Sequence, residues 1–308
     1  MIKILVTPRS LKSADHPALQ PLRDAGFEIV IPAPGAMPDA DTLKAALPGC
    51  RGWLAGVEKI TADILASATD LAVISRNGVG VDNVDLDAAK ARGIHVANTP
   101  GANARGVAEL ALALIFAVAR GIPLCDASIK TGGWERRQGV ELDGATLGVV
   151  GTGQIGKILI RMALGLGMKT VGYDLYPDKA FAPGDFRYVE PAELARVSDV
   201  VSVHIPGGDR PFVDAAFLAA MKKNAVLVNT ARASAVDGSA VLSALGDGRL
   251  FGYGVDAFDA EPPGISPLVT HPRVVCTSHI GGFTAESVMR AAERAARNIV
   301  DALKKETA

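Results

Sequence analysis

Residues 146–156 read TLGVVGTGQIG, an apolar run that passes directly into three glycines with the spacing G-x-G-x-x-G. The apolar run predicts a buried strand, and residues Lys157–Leu166 behind the glycines predict a helix. In this context Gly151 permits a tight turn, Gly153 lets the backbone approach a pyrophosphate, and Gly156 lets helix and strand pack closely. The helix N-terminus offers free N–H groups and a partial positive charge to phosphates. The stretch therefore predicts a dinucleotide-binding unit.

The next predicted strand ends in an acid. It reads TVGYD at 170–174, and Asp174 lies 23 residues after Gly151, close to the spacing of about 20 that dinucleotide sites show. A carboxylate at this place accepts hydrogen bonds from ribose hydroxyls and repels a 2′-phosphate. No arginine occurs in the residues that follow at once, LYP at 175–177. The pattern favours NAD over NADP.

Short strand-like runs alternate with helical stretches along the whole chain, which predicts parallel sheets covered by helices on both faces. The runs form two series, separated at the turn Asn98–Gly101. The first series is Ile2–Thr7, Phe27–Ile31, Gly52–Ala55, Leu71–Ser75 and His95–Asn98. The second is Thr146–Val150, Thr170–Asp174, Val200–His204, Ala225–Asn229, Gly252–Val255 and Val274–Thr277. Helices are predicted at Pro17–Ala25, Thr61–Ala68, Asn83–Arg92, Ala104–Arg120, Val236–Gly246 and Ala285–Lys304.

Bulk composition limits the classes of protein. A chain of 308 residues with 49% hydrophobic and 21% charged residues suits two globular domains. A formal net charge of −1 disfavours nucleic-acid and anionic-membrane partners. The three cysteines, Cys50, Cys125 and Cys276, are widely separated, which predicts no disulfide framework and no metal site and suits a reducing cytoplasm. The longest apolar run, Leu110–Ala119, is about half a membrane span and predicts a buried helix.

Three side chains that follow strands of the second series carry the expected chemistry. His279 and Arg232 lie directly behind such strands, and Glu261 follows in a Pro-Pro turn, at the edge of a parallel sheet where ligands bind. A carboxylate beside an imidazole favours its protonated form and fixes its tautomer, which suits acid–base work at His279. A guanidinium binds a substrate carboxylate and polarises a keto oxygen. His204 also ends a strand and is the rival acid, but the sequence places no carboxylate beside it.

With these residues in view, the sequence resembles the D-isomer-specific 2-hydroxyacid dehydrogenases over nearly the whole chain, and most of all their D-3-phosphoglycerate dehydrogenase branch. The matching motifs are RNGVGVDNVD (76–85), NTPGANARGVAEL (98–110), GTGQIG (151–156), NTAR (229–232), GVDAF (254–258), EPP (261–263) and SHIGG (278–282). The resemblance implies an α/β fold of two doubly wound parallel-sheet domains. A Rossmann NAD-binding domain, 99–284, is inserted into a flavodoxin-like substrate domain made of 1–98 and 285–308. It also implies a homodimer with the long helix from Ala104 in its interface.

The resemblance further implies hydride transfer between NAD and C2 of a small D-2-hydroxy acid or 2-keto acid. Arg232, Glu261 and His279 are the implied catalytic residues. The implied NAD contacts are Gly151, Gly153, Gln154, Ile155, Gly156, Asp174, His204, Ile205, Pro206, Thr230, Ala231, Arg232, Asp256, His279, Gly281 and Gly282, with Asp256 near the carboxamide. The implied substrate contacts are Asn77, Gly78, Val79, Arg232 and His279.

Several positions depart from the phosphoglycerate pattern. Ala55 stands where those enzymes carry an arginine for the substrate phosphate, Glu58 would oppose a phosphate, and Lys59 is the one nearby compensating charge. We therefore expect a small acid such as glyoxylate, hydroxypyruvate or a related sugar acid, with a phosphorylated substrate left open. Ala233 replaces a usual glycine, and the short loop at 207–208 is expected to alter a cofactor contact. The chain ends soon after its last predicted helix, so feedback through a C-terminal regulatory extension is not expected.

Two other functions stay open at the level of sequence. A non-enzymatic NAD(H)-sensing protein can share this fold, because a fold does not fix a function; the presence of all three catalytic residues favours the enzyme. A dehydrogenase for another donor, formate or phosphite, is the second. Formate enzymes of the family carry extra N-terminal sequence that is absent here, whereas a phosphite enzyme would keep the same three residues.

Overall fold

The computed structural model of the protein describes residues 1–306. They contain twelve strands and eleven α-helices, with short 3-10 helices at Pro17–Leu19 and Ala233–Ala235. The strands are β1 (Lys3–Val6), β2 (Glu28–Val30), β3 (Cys50–Ala55), β4 (Val73–Arg76), β5 (His95–Ala97), β6 (Thr146–Val150), β7 (Lys169–Tyr173), β8 (Arg187–Tyr188), β9 (Val200–Val203), β10 (Ala225–Asn229), β11 (Leu250–Val255) and β12 (Val274–Cys276). The helices are α1 (Gln20–Asp24), α2 (Ala40–Ala46), α3 (Ala62–Ala66), α4 (Leu86–Ala91), α5 (Ala104–Arg120), α6 (Ile122–Lys130), α7 (Gln154–Gly165), α8 (Pro191–Val197), α9 (Ala215–Ala220), α10 (Gly238–Gly246) and α11 (Ala285–Glu306).

The chain forms two compact units, each built on one parallel sheet. The first unit consists of Met1–Asn103 and the stretch that begins at Gly282; the second is Ala104–Gly281. The first sheet has the strand order β2-β1-β3-β4-β5, which is the flavodoxin-like order. The second has the order β12-β11-β10-β9-β6-β7-β8, which is the Rossmann order extended by one strand. The predicted fold class is confirmed.

In the first unit, the C-terminal helix α11 covers one face of the sheet. Its buried small and apolar residues, such as Ala295 and Ile299, pack against Ile4 and Val73 of the central strands. A Cβ on Gly52 of β3 would lie 2.8 Å from Ile299 Cγ2, so glycine permits this close approach. Helices α2, α3 and α4 cover the opposite face. Both faces are thus covered, which explains the continuous apolar strands.

In the second unit, α5 and α7 pack on one face of the sheet and α8, α9 and α10 on the other. The central strand β10 is buried at all five positions. Glycines on β11 let α5 lie close to the sheet: a Cβ on Gly252 would meet Val118 Cγ1 at 2.7 Å, and one on Gly254 would meet Leu114 Cβ at 3.1 Å. The predicted helix Ala104–Arg120 is confirmed, and nine of its residues are buried.

Helix α7 and strand β8 are among the features that differ from the prediction. Helix α7 begins at Gln154, three residues before the predicted Lys157, because Gly153 is its N-cap and the last glycine of the motif is already helical. Strand β8, Arg187–Tyr188, was not predicted, since two residues are too few to show a periodic pattern. Within residues 1–306, no single helix has the length and apolar character of a membrane span, although α5 and α6, bent by 66° at their junction, pass as a pair by length and composition.

Candidate active site

The predicted site residues of the second unit gather along one edge of its sheet. Parallel strands end at the same edge, and here six of them end in a predicted ligand-binding or catalytic residue or lead into one. In the order along the sheet these are His279 after β12, Asp256 after β11, Thr230–Arg232 after β10, His204–Pro206 after β9, Gly151 after β6 and Asp174 after β7. This carboxyl edge is where doubly wound sheets bind their ligands.

The glycine loop fits a pyrophosphate. Gly151 has φ +92°, and a Cβ there would lie 2.6 Å from the carbonyl oxygen of His204. A Cβ on Gly156 would collide with the carbonyl oxygen of Gly151. By contrast, a Cβ on Gly153 would meet no described atom within 4 Å, so the space in front of this residue is open. Gly153 caps α7 without a side-chain acceptor, and no acid occurs in the first turn, which leaves the helix N–H groups for an anion.

Asp174 is fixed beside this loop. Its Oδ2 accepts hydrogen bonds from the Thr152 N–H at 2.7 Å and the Thr152 hydroxyl at 3.2 Å, and its Oδ1 accepts one from the Tyr176 N–H at 2.9 Å. Lys157, on the helix α7 that follows the glycine loop, pairs with Asp178 at 2.5 Å. The 2′-phosphate of NADP would meet the fixed negative charge of Asp174 and a lysine that is already paired with Asp178. This arrangement favours NAD over NADP.

His204 is a neutral histidine at physiological pH. Burial lowers its pKa from 6.5 to about 4. Its Nε2 lies 2.9 Å from the Ser202 hydroxyl and its Nδ1 lies 3.5 Å from the Thr230 hydroxyl, so both ring nitrogens face hydroxyl groups. Because burial keeps the imidazole uncharged, His204 is a poor proton donor near neutral pH, which favours His279 as the predicted acid.

A buried asparagine shapes the turn that carries Arg232. The fully buried Asn229 accepts a hydrogen bond from the Ala231 N–H at 3.0 Å and donates one to the Arg232 carbonyl at 2.8 Å. The Arg232 guanidinium donates to the Ala231 carbonyl at 2.9 Å. A Cβ on Gly207 would collide with Ser234 Oγ, so the short glycine loop packs on this same turn. The sequence prediction missed the role of Asn229, although an Asn at a strand end is a known turn signal.

His279 and Glu261 are in direct contact, as predicted. His279 Nδ1 lies 2.7 Å from Oε1 and 2.9 Å from Oε2 of the carboxylate. Both side chains are about half exposed, at 50% and 42%, so the pair can reach a substrate. Glu261 also accepts a hydrogen bond from the Phe258 N–H at 3.3 Å. With Nδ1 engaged by Glu261, Nε2 is the ring nitrogen that remains for proton transfer.

Asp256 holds the loop that carries His279. This carboxylate is 1% exposed. Its Oδ1 accepts hydrogen bonds from the Thr277 hydroxyl at 2.6 Å and the Ile280 N–H at 2.9 Å, and its Oδ2 accepts one from the Gly281 N–H at 2.9 Å. Between these anchors His279 adopts a left-handed φ of +54°, which is unfavourable for a residue with a side chain. The predicted contact with the NAD carboxamide remains a prediction; the hydrogen bonds show that Asp256 positions the loop.

The predicted substrate residues Asn77–Val79 follow β4 in the first unit. The Asn77 N–H donates to the Ala55 carbonyl at 2.8 Å, and Gly78 has φ +158° with the Arg76 guanidinium packed against it. The side-chain oxygen of Asn77 is buried and has no hydrogen-bond partner among residues 1–306. Such an unsatisfied acceptor is unusual in a folded protein. The role of residues Asn77–Val79 in binding a substrate remains a prediction.

Glu58, expected to oppose a phosphate, is instead part of the internal structure of the first unit. It is 4% exposed, and its Oε1 accepts hydrogen bonds from the Thr7 hydroxyl and, at 2.9 Å, from the Gly56 N–H. The Trp53 indole N–H donates to the same Thr7 hydroxyl at 2.9 Å. The carboxylate therefore links the loops after β1 and β3. Across the described part of the chain, no group of three or more His, Cys, Asp or Glu residues is arranged to hold a metal ion.

Comparison with known proteins identifies the family. Residues 112–281 match the family model of the D-isomer specific 2-hydroxyacid dehydrogenase, NAD binding domain. The chain is 40% identical over 256 residues to the D-3-phosphoglycerate dehydrogenase of Methanocaldococcus jannaschii, which covers 81% of this chain and 49% of that protein. It is 40% identical over 239 residues to the hydroxypyruvate reductase of Thermotoga maritima, covering 75% of this chain and 78% of that one. The crystal structure of the TT0316 protein from Thermus thermophilus has a TM-score of 0.86 at 36% identity, covering 99% and 97% of the two chains.

These matches define the second unit as an NAD-binding domain of the oxidoreductase type. The chain belongs to the D-isomer specific 2-hydroxyacid dehydrogenase family. It spans about half the length of the phosphoglycerate dehydrogenase relatives that it matches, 49% of the archaeal protein and 54% of the human one. The predicted family and the predicted cofactor, NAD, are confirmed.

Proposed function

We propose that the protein is an NAD-dependent dehydrogenase that interconverts a small D-2-hydroxy acid and its 2-keto acid. The observation that carries this proposal is the His279–Glu261 pair at the carboxyl edge of an NAD-binding sheet. Bound NAD supplies or accepts the hydride. The residues of the protein must then bind the acid, orient it and move one proton.

In the direction of reduction, His279 is the general acid. The Glu261 carboxylate receives the Nδ1–H of the ring, which fixes its orientation and stabilises the imidazolium. Nε2–H then donates its proton to the substrate oxygen as negative charge develops on it. In the reverse direction the neutral ring takes the hydroxyl proton, and Glu261 stabilises the cation that results.

The acid is proposed to be held by Arg232. The Arg232 guanidinium suits a carboxylate and the adjacent keto oxygen, because its planar fork donates two parallel hydrogen bonds. Its backbone is held by the buried Asn229, which supports a pre-organised orientation. We propose a glyoxylate- or hydroxypyruvate-like acid, since Ala55 occupies the position where phosphoglycerate enzymes carry an arginine for the substrate phosphate.

The test is a substrate screen of the purified protein. NADH oxidation is followed at 340 nm with glyoxylate, hydroxypyruvate, 2-ketoglutarate and phosphohydroxypyruvate, with NADPH and a His279→Ala variant as controls. Turnover that prefers NADH and collapses in the variant supports the proposal. Preference for phosphohydroxypyruvate would overturn the assignment of a non-phosphorylated acid. Tight NADH binding without turnover of any acid would contradict the dehydrogenase and favour an NAD(H)-sensing protein.

We also propose that two copies of the chain form a homodimer. Helix α6 has no buried residue in the single chain, although it carries Ile122 and Ile129, exposed by 53% and 59%. Trp134, just behind it, is 80% exposed. An apolar surface of this kind is costly in water and suits a protein interface. Light scattering of the purified protein tests this: a monomeric mass at micromolar concentration would contradict the dimer.

A further inference from the structure

Tyr188, on the strand β8 that the sequence did not reveal, connects two parts of the dinucleotide site. Its hydroxyl lies 3.1 Å from the Thr152 hydroxyl in the glycine loop. The same hydroxyl accepts a hydrogen bond from the Asp178 N–H at 3.2 Å, in the turn that follows Asp174. Thr152 in turn contacts Asp174 through both its N–H and its hydroxyl.

The direction of these hydrogen bonds follows from their partners. The Asp178 N–H can only donate, so the Tyr188 oxygen accepts there and its proton is free to be directed at Thr152. The Thr152 hydroxyl then accepts from Tyr188 and donates its single proton to Asp174 Oδ2. Each donor polarises the next one, so the series strengthens its final bond to the carboxylate.

The Tyr188 ring packs against the first of two phenylalanines that contact each other. Phe186 packs edge-on against it with 4.9 Å between ring centroids, and Phe181 packs edge-on against Phe186 at 5.2 Å. Phe181 and Phe186 are both buried. The Lys157 ammonium lies 5.3 Å from the centre of the Phe181 ring and pairs with Asp178. Lys157 therefore connects α7 both to the phenylalanines and to the turn after Asp174.

We propose that Tyr188 is a positioning residue that sets the affinity and NAD-over-NADP selectivity of this site by fixing the Asp174 carboxylate through Thr152. The proposal rests on the proposed function only in that Asp174 receives the adenosine ribose of NAD. Three of the roughly four acceptor positions of this carboxylate are taken by Thr152 and Tyr176. The orientation that Thr152 imposes therefore decides where the remaining position on Oδ1 points.

Loss of the Tyr188 hydroxyl should affect the two cofactors differently. Without it, the Thr152 hydroxyl loses its donor and can rotate away from Asp174. NADH binding weakens because its ribose hydroxyls meet a less ordered carboxylate. The Asp174 carboxylate repels the 2′-phosphate of NADPH, so NADPH binding does not depend on how well this carboxylate is ordered. The affinity for NADPH should therefore be nearly unchanged.

The experiment measures dissociation constants of NADH and NADPH directly, by fluorescence titration of the full chain, so that it needs no turnover. Tyr188→Phe keeps the ring stack and removes only the hydroxyl. Tyr173→Phe is the matched control, because this tyrosine directly precedes Asp174 and its ring packs against Phe212. Thr152→Val, together with the double variant that carries both Tyr188→Phe and Thr152→Val, completes a double-mutant cycle. Circular dichroism and thermal unfolding check that each variant is folded.

We expect Tyr188→Phe to weaken NADH binding about 3- to 10-fold, as removal of a neutral hydrogen bond does, with NADPH changed less than about 2-fold. Thr152→Val should have a similar effect, and the double variant should be no weaker than the stronger single one, because both act on one series of bonds. Three results would overturn the proposal. The losses in NADH affinity of the two single variants could multiply in the double variant, Tyr188→Phe could weaken NADH and NADPH binding equally, or Tyr173→Phe could weaken NADH binding as much as Tyr188→Phe does. Wild-type protein that binds NADH but turns over no acid would refute the dehydrogenase alone; wild-type protein that does not bind NADH would refute both.

Discussion

The substitution Asp256→Asn tests whether a buried carboxylate holds the catalytic loop. Asparagine has the same shape but offers one acceptor oxygen in place of two. If that oxygen keeps the Thr277 hydroxyl and the Ile280 N–H, the new NH₂ group faces the Gly281 N–H, where two donors meet. Gly281 is buried, so water is a poor substitute for the lost acceptor.

The magnitude follows from these contacts. A lost hydrogen bond to a charged group, which leaves a buried N–H without an acceptor, costs about 2–4 kcal/mol. The left-handed conformation of His279 costs a further ~1–2 kcal/mol that the loop bonds now offset. The loop should therefore relax locally and leave the productive geometry. At 1.4 kcal/mol for each factor of ten, kcat should fall by about 30- to 1000-fold.

The assay combines kcat on the best keto acid, the dissociation constant of NADH and thermal unfolding. The expected result is the stated loss in kcat and a small loss in melting temperature, with a smaller loss in NADH affinity than in kcat, since the glycine loop lies elsewhere on the edge. The control is Asp259→Asn, at an exposed acid three residues further along the chain. It should leave kcat, NADH affinity and the melting temperature unchanged. A kcat within about 3-fold of wild type would refute the inference that Asp256 holds His279 in place.

Further predictions concern the acid–base pair, the glycine loop and a buried histidine. Glu261→Gln keeps an acceptor for His279 but removes the charge, so kcat should fall about 10²-fold or more while the KM for NADH stays within about 2-fold; an unchanged kcat would contradict the pairing. Gly153→Ala adds a Cβ into open space and should leave the melting temperature unchanged while NADH binding is lost, whereas Gly156→Ala collides with backbone and should lower the melting temperature in the absence of NADH. Equal melting temperatures for the two would contradict these roles. His204 has a pKa of about 4 in the folded protein and 6.5 when unfolded, so between these values the unfolded chain binds more protons and stability falls as the pH decreases. The loss from this group is at most about 3 kcal/mol, and His204→Asn should reduce the difference between urea unfolding at pH 7 and at pH 4.5; an unaltered difference would show that other groups cause it.

The two parallel sheets were predictable because parallel strands buried on both faces are continuous apolar runs. The glycine loop was predictable because its chemistry depends on spacing within eleven residues of chain, 146–156. The contact between Glu261 and His279 was also predicted, from residues that end neighbouring strands of one sheet.

Other features depend on tertiary contacts that no local pattern contains. Strand β8 is two residues long, and Tyr188 acquires a role only when folding brings it to Thr152, 36 residues away in sequence. Glu58 was expected to oppose a substrate phosphate. It is instead buried, because Thr7, which follows β1, and the Gly56 N–H satisfy its carboxylate. The loop bonds of Asp256 likewise join residues 21 to 25 positions apart.

The most direct test of the proposed reaction follows the fate of the transferred hydride. NADH carrying deuterium at nicotinamide C4, stereospecifically on one face and then on the other, is incubated with hydroxypyruvate or another keto acid whose reduced product is chiral at C2. The product is analysed by chiral chromatography and mass spectrometry. The proposed reaction predicts that one of the two labelled cofactors gives a D-2-hydroxy acid with deuterium at C2, and that His279→Ala protein forms almost none. An L-hydroxy acid, or product without label from both cofactors, would contradict direct hydride transfer at this site.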